Sequence, residues 1–279
     1  MKINISVCTS GDIEKLDTFI KSYLSIKPDE RIGVKLTLIV NQKIFDKKRY
    51  PSFIRFRLEP KKGFASVRNR ALRSNPPNHN LIFIDDDQIV NQEWLREIRR
   101  FSAIYPGEIL SGPVLPINEN NRSSYRAQIW HEMQKIKPYS SVSKAASNNL
   151  LIPPKVLNDP HCMFDEFFNS GGEDTDLTMR LTQNGFIIRW IPTAIVHEIE
   201  SLERFSQQWI QNRILKDYQN YAIAFRRNNS SFLNLIQFYR FIGNILICFV
   251  FSFFNKKFAL KLLGNSYALR AFVSGKWKF

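Results

Sequence analysis

Three consecutive carboxylates, Asp85, Asp86 and Asp87, follow directly on the apolar run Leu81-Ile82-Phe83-Ile84. Adjacent carboxylates repel one another, and a chain tolerates them at a strand end where a cation holds them. Hard oxygen donors suit Mg²⁺ or Mn²⁺, and Mg²⁺ typically takes one or two carboxylates and leaves other positions to water or substrate phosphates. The competing reading is a solvated acidic turn, or a cap for the helix that begins near Asn91. A second acidic cluster runs from Asp165 through Asn169, Gly171 and Gly172 to Glu173, Asp174 and Asp176. The glycine pair predicts a turn that exposes backbone amides, and Glu173 and Asp174 then open a helix to about Asn184. In the plainer reading these acids complement the helix dipole. In the sharper one a carboxylate on a rigid helix start is a general base for a hydroxyl that becomes acidic in the transition state. His197 lies at the end of the second of two short strands in IIRWIPTAIVHE. Alone it is a structural histidine; beside a carboxylate-rich strand end it becomes a candidate metal ligand.

Alternating strands and helices have to position these groups. Residues 3–7 and 34–40 read as buried strands with a helix from Asp12 to about Ser25 between them. Residues 53–59 alternate like a strand, 63–73 read as a helix, 81–84 as a short buried strand, and about 91–104 as a helix. The segment 187–197 reads as two short strands. This order predicts an α/β sheet with parallel character, in which ligands collect at the carboxyl ends of the strands. Thr9 and Ser10 follow the first strand and Asn41 the second. They are either turn formers or partners for a nucleobase edge. In the helix opening Gly63-Phe64-Ala65-Ser66-Val67-Arg68-Asn69, Gly63 and Ala65 allow close approach of a ligand. Arg68 is either a surface cation or a contact to a phosphate or base.

The 279 residues carry 40 Lys+Arg against 25 Asp+Glu, a net charge of +15, with 44% hydrophobic residues. That excludes a disordered tail, a collagen-like chain and a small disulfide scaffold, and it asks for an anionic partner. Cys8, Cys162 and Cys248 lie far apart, without zinc-ligand or disulfide-framework spacing, which predicts a reducing compartment. The start MKINISVCTS lacks the apolar run of a signal peptide, so cytosolic synthesis and retention are expected. The charge is uneven: residues 201–279 hold 12 Lys+Arg and 2 Asp+Glu. The same stretch contains FLNLIQFYRFIGNILICFVFSFF, whose uninterrupted apolar part, 241–254, falls short of the roughly 20 residues that span a bilayer. Basic, apolar and aromatic residues together predict a helix in a membrane interface, against the alternatives of a true span and of a core helix with a solvated basic face. The expected division is 1–200 and 201–279.

Taken together, GFASVRNRAL, LIFIDDDQIVNQEWL, NNLLIP, FFNSGGEDTDLTMRLTQNGF and IPTAIVHE resemble, in order and spacing, the family 2 glycosyltransferases, enzymes of the GT-A fold that use nucleotide sugars. The nearest subgroup is the succinoglycan-type bacterial exopolysaccharide enzymes, and the resemblance covers roughly residues 1–215. Two positions depart from it: the first strand leads into CTSGD rather than proline-threonine-tyrosine-asparagine, and Asn41 stands where many relatives carry Asp. The resemblance implies a central mixed, mostly parallel sheet, to which the composition adds a C-terminal helical, membrane-associating segment. It implies that Asp87 ligates Mn²⁺ or Mg²⁺, with His197 completing the metal shell, Asp85 near the ribose or metal waters, and Asp86 in support. Thr9, Asn41, Gly63 and Arg68 line the donor pocket, and Asn148 and Asn149 lie where the family contacts sugar or acceptor. Asp174 is the base and Glu173 orients it or the acceptor.

The implied activity is inverting transfer from a nucleoside diphosphate sugar, most simply UDP-linked, to a glycan or lipid-linked acceptor in bacterial surface polysaccharide or lipopolysaccharide synthesis. The implied place is the anionic cytoplasmic face of the inner membrane. Two rivals compete. A sugar-phosphate nucleotidyltransferase needs Mg²⁺ and a nucleotide but no GGED-type base, and it uses a glycine-rich loop that VCTSGD lacks. A nucleic-acid-binding module fits the charge, but its cations would spread over one face with stacking aromatics. Here they cluster with an apolar run, so no nucleic-acid partner is expected.

Overall fold

A computed structural model describes residues 1–117, 136–199, 204, 206–252 and 256–276. The end of the apolar run (253 and 254) and Lys278, one of the predicted membrane cations, lie outside the described residues. The chain divides into two units, 1–201 and 202–279.

The first unit is built on strands β1 (Ile3–Thr9), β2 (Val34–Val40), β3 (Arg55–Leu58), β4 (Asn80–Asp85), β5 (Gln88–Ile89), β6 (Ile109–Ser111), β7 (Val114–Ile117), β8 (Ser141–Val142), β9 (Leu150–Ile152), β10 (Ile188–Trp190) and β11 (Val196–Ile199). Eight form one sheet in the order β3-β2-β1-β4-β9-β6-β10-β8, and β5-β11-β7 form a small second sheet. Within the large sheet β9 and β8 run against their neighbours and the other strands share one direction. The expected mixed, mostly parallel sheet is therefore present.

Side-chain alternation in β1 shows how the layers form. Ile3, Ile5 and Val7 point to one face and join Leu36, Leu38, Ile82 and Ile84. Helices α1 (Ile13–Ser25) and α3 (Gln92–Ile104) cover that face with Leu16, Phe19, Trp94, Leu95 and Ile98. Cys8, Ile39, Leu81 and Phe83 point the other way. They pack on α2 (Phe64–Ser74) through Ala65, Val67 and Ala71, and on α5 (Glu173–Gln183) through Leu177 and Leu181. A one-turn helix, α4 (Pro154–Leu157), precedes α5. Asp12 caps α1 by accepting from the amides of Glu14 and Lys15, and Asn91 caps α3 by accepting from Trp94. Each side-chain cap typically contributes about 1 kcal/mol.

The second unit holds α6 (Gln207–Asn228), α7 (Ser231–Ser252) and α8 (Lys256–Ser274). Ala222, Phe241, Ala268 and Phe272 form its core. Gly264 lets α6 and α8 approach closely, because a Cβ there would meet the Tyr218 ring at 2.7 Å. The apolar helix is longer than its uninterrupted apolar run: α7 has 22 residues, since Asn234, Gln237 and Arg240 continue the helix rather than bound it. Among the described residues it is the one helix long and apolar enough to cross a membrane by length and composition.

Candidate active site

The C-terminal ends of β1, β2 and β4 meet at one edge of the sheet, because the three strands run parallel and in register: Val7 pairs with Leu38 and with Ile84. Thr9, Asn41 and Asp85 follow or end these strands side by side. The Thr9 hydroxyl donates to the Asp86 carboxylate at 2.5 Å and accepts the Gly11 amide at 2.8 Å, so it ties the aspartate run to the loop after β1. Asp85 is fixed through its own amide, which donates to the buried Gln88 side chain at 3.0 Å. Lys15, on α1, approaches Asp87 at 3.7 Å.

Gly171 and Gly172 deliver the second acidic cluster. Both have positive φ (127° and 93°), a conformation that costs a side-chain-bearing residue strain, and Gly172 caps α5. The helix therefore starts abruptly with Glu173 and Asp174. Glu173 is buried, whereas Asp174 is partly exposed, and its carboxylate accepts from the Thr175 amide at 2.6 Å.

Arg68 joins the two clusters. From α2 its guanidinium donates to Glu173 at 2.7 Å and to Asp85 at 3.1 Å. All three groups stand over Cys8, a neutral thiol pushed up to about 12 chiefly by burial. The Arg68 Nε is buried without a hydrogen-bond partner. Burial pushes the Glu173 carboxyl above its usual range; Arg68 opposes this and the Asp174 charge adds to it. A guanidinium stays charged in proteins, so the ion pair at 2.7 Å favours ionised Glu173 against that burial. Asp86 is pushed up to about 6, first by burial, with the Thr9 hydrogen bond pulling down and the Asp87 charge pushing up.

Five carboxylates (Asp85, Asp86, Asp87, Glu173, Asp174) thus gather here, with Arg68 paired to Asp85 and Glu173 and Lys15 near Asp87. Among the described residues no three His, Cys, Asp or Glu side chains form a closed metal cage. The donor set fits a divalent cation held by few protein ligands, with substrate oxygens completing its shell. Asp87 and His197 suit that purpose. His197 pairs with Ile89 in the small sheet, and the ladder continues until the Ile199 amide donates to the Asp87 carbonyl at 2.9 Å. His197 is thus one diagonal from Asp87. Burial lowers its pKa, which leaves a neutral imidazole with a free lone pair. Its strand does not stop at His197, as the sequence pattern suggested, but runs to Ile199.

Three expected ligand contacts have a different first duty. The Asn149 amide is spent inside the scaffold: it accepts from the Trp94 indole at 2.9 Å and donates to the Pro113 and Ala194 carbonyls at 3.1 and 2.8 Å. These bonds tie α3 to the loops after β6 and before β11. Gly63 makes room for Asn169, since a Cβ would sit 2.4 Å from the Asn169 side chain. Asn169 in turn accepts from the Ser66 amide at 3.1 Å and caps α2. Asn41 donates to the Glu59 and Lys61 carbonyls at 2.8 and 2.6 Å and accepts the Gly63 amide at 3.2 Å, holding the loop that closes on α2. Sequence reasoning missed Lys15, Gln88 and Asn169. Asp12 followed by Glu14 and Lys15 signals a helix start beside the strand end and was the available pointer to Lys15. Nothing local marks the other two.

Sheet and acidic edge together define an α/β glycosyltransferase of the GT-A fold. Residues 81–274 match Glycosyl transferase family group 2, and the chain belongs to that family. The crystal structure of GalNAc-T7 with UDP, GalNAc and Mn²⁺ is similar at a TM-score of 0.58 and 13% identity, over 80% of this chain and 47% of that one. S. aureus TarS is similar at a TM-score of 0.54 and 17% identity, over 83% of this chain and 44% of that one. At these identities the likeness establishes a shared fold, and the chain spans less than half the length of either neighbour. No curated protein sequence matches the chain. Family membership supports glycosyl transfer over nucleotidyl transfer and nucleic-acid binding.

Proposed function

We propose that the protein moves a sugar from a nucleoside diphosphate sugar, UDP-linked, to a hydroxyl of a glycan or lipid-linked acceptor with inversion at the anomeric carbon. The observation that carries this is the Arg68 bridge, which holds the Asp85 strand end and the Glu173–Asp174 helix start in one electrostatic unit. In this reading Asp174, the partly exposed member, accepts the proton of the acceptor hydroxyl. The acceptor oxygen forms its bond to the anomeric carbon as the bond to the diphosphate oxygen breaks, and that electron pair leaves on the nucleoside diphosphate. Glu173, pinned by Arg68, fixes the start of the helix and with it the aim of Asp174. Thr9, Asn41 and Gly63 shape the nucleotide side of the pocket, and Asp85 and Asp86 border it. Asp87 and His197 would hold a divalent cation, Mn²⁺ or Mg²⁺, which when bound supplies charge neutralisation for the leaving diphosphate. The Mn²⁺ and UDP in the GalNAc-T7 structure support that choice.

The motif resemblance to succinoglycan-type enzymes supports an acceptor in bacterial surface polysaccharide or lipopolysaccharide synthesis. With the basic, apolar second unit, it also supports work at the cytoplasmic face of the inner membrane. Assaying a panel of nucleotide sugars with Mn²⁺, on the unsubstituted chain and on Asp174→Asn, tests the reading. Asp174→Asn should lose about 10²–10⁴ in turnover, while calorimetry shows little change in nucleotide affinity. Near-normal transfer by Asp174→Asn with loss in Glu173→Gln would reverse the two roles. No turnover of any nucleotide sugar by the unsubstituted chain would remove the reading.

A further inference from the structure

Helix α7 turns large apolar side chains outward as well as inward. A surface helix normally turns an apolar stripe to the core and polar residues outward. In α7 the buried line is Gln237, Phe241 and Cys248, which fall on one side of the helix. The opposite side carries Phe232, Leu235, Tyr239, Leu246 and Val250, between 52% and 70% exposed. In the neighbouring helices Gln219, Asn220 and Asn265 are buried beside Ala222, Ile223, Ala268 and Phe272. Large apolar side chains turned outward in this number are the arrangement expected where hydrocarbon, not water, lies outside.

That leaves two geometries, and Arg240 discriminates between them. In a spanning helix every side not packed on protein meets lipid, and Arg240, exposed near the middle of the 22 residues, would sit close to the bilayer centre. A charge there costs several kcal/mol by any scale. In a helix lying flat only the outward stripe enters the acyl region. Arg240 follows Tyr239 in sequence and is therefore turned about 100° from it. Asn244, one turn on, is exposed on the same flank. No charged or amide residue of α7 falls on the stripe itself. Arg270 and Lys276 in the same unit are also exposed, and residues 201–279 carry 12 cations against 2 acids.

We propose that α7 is an in-plane anchor. Its stripe Phe232–Leu235–Tyr239–Leu246–Val250 lies at the acyl boundary of an anionic leaflet, Arg240 and Asn244 rise along one flank to the headgroups, and the helix does not cross. The inference rests on the membrane part of the reading above and fixes its geometry; it is independent of which sugar is transferred.

The test uses the full-length protein with vesicles of phosphatidylcholine, with and without phosphatidylglycerol. Leu235→Cys, Tyr239→Cys, Leu246→Cys and Val250→Cys, each carrying a nitroxide, are read by collision with oxygen and with a water-soluble nickel complex. The three native cysteines are buried, and the unsubstituted chain measures their residual labelling. All four sites are expected at one shallow depth, about 5–10 Å below the headgroups, and only when phosphatidylglycerol is present. Leu246→Glu, on the stripe, should lower partitioning into those vesicles about tenfold or more, and Asn244→Glu, on the flank, far less. Depths that change steadily along the helix, by about 1.5 Å per residue, would overturn the in-plane geometry and leave membrane association standing. Four sites that stay in water with anionic vesicles would overturn both.

Discussion

Replacing Asp86 by asparagine should stabilise the protein, and the gain should depend on pH. Asp86 is 9% exposed, with its carboxylate between Thr9 and the neighbouring aspartates. Its pKa stands at about 6 against an ordinary 3.8. A carboxyl whose folded pKa exceeds its unfolded one holds its proton more tightly in the native state. Its contribution is therefore fully present below about pH 4 and is lost as pH rises through about 6. At about 1.4 kcal/mol per pKa unit, the ionised group costs up to about 3 kcal/mol at neutral pH. Asparagine keeps an oxygen for the Thr9 hydroxyl and never ionises, so Asp86→Asn avoids that cost. For a unit of this size the gain corresponds to an increase in Tm of about 6–12 °C. Calorimetric melts at pH 7.5 and pH 4, with chelator present and no nucleotide, read it. The gain should appear at pH 7.5 and nearly vanish at pH 4. An equal shift at both values would refute the electrostatic origin, and no shift at pH 7.5 would refute the buried, ionised carboxylate itself. Transfer activity should fall in the same variant if Asp86 borders the donor, the trade expected where a strained charge serves function.

Arg68→Met should destabilise the first unit by about 3–5 kcal/mol in urea unfolding, because it strands Asp85 and Glu173 without a counter-charge. Arg68→Lys should recover only part of that, since one ammonium cannot reproduce the planar fork that reaches both carboxylates. Gly63→Ala should cost more than about 1 kcal/mol in the same assay, from strain at φ 128° and a contact of 2.4 Å with Asn169. A cost unchanged when combined with Asn169→Ala would show that backbone strain, not the contact, dominates. Asp87→Ala should abolish the Mn²⁺-dependent part of nucleoside diphosphate binding in calorimetry, and His197→Ala should weaken it less. Equal affinity with EDTA in the unsubstituted chain would remove the metal from the pocket.

The fold was legible because its signals are local. The alternation in INISVCT and VKLTLIV, the cap at Asp12, and the unbroken apolar run before Asp85 each fix a strand or a helix start within a few residues. Strand order was not local. That β9 inserts antiparallel between β4 and β6 follows from pairing across about 70 and 40 residues of sequence, and no periodicity encodes it. The length of α7 was misread for a related reason. Asn234, Gln237 and Arg240 look like breaks in an apolar run, but a helix tolerates polar residues wherever one of its faces accommodates them.

The site divides along the same line. Asp85 to Asp87 and Glu173–Asp174 stood out because acids at strand ends and helix starts have few other reasons to cluster. What each does was set by partners distant in sequence. The space that the missing Cβ of Gly63 leaves is filled by Asn169, 106 residues later. Arg68 read equally well as a surface cation until Glu173 and Asp85 closed on both ends of its guanidinium. The pattern that separates them is the degree of satisfaction. Asn149 and Asn41 have their side-chain amides engaged by backbone and side-chain partners of the scaffold, whereas Asp86 is a buried carboxyl pushed up to about 6 beside Asp85 and Asp87. A folded chain keeps such a group at a cost to its own stability, and a cost of that kind is the mark by which a functional site is sought.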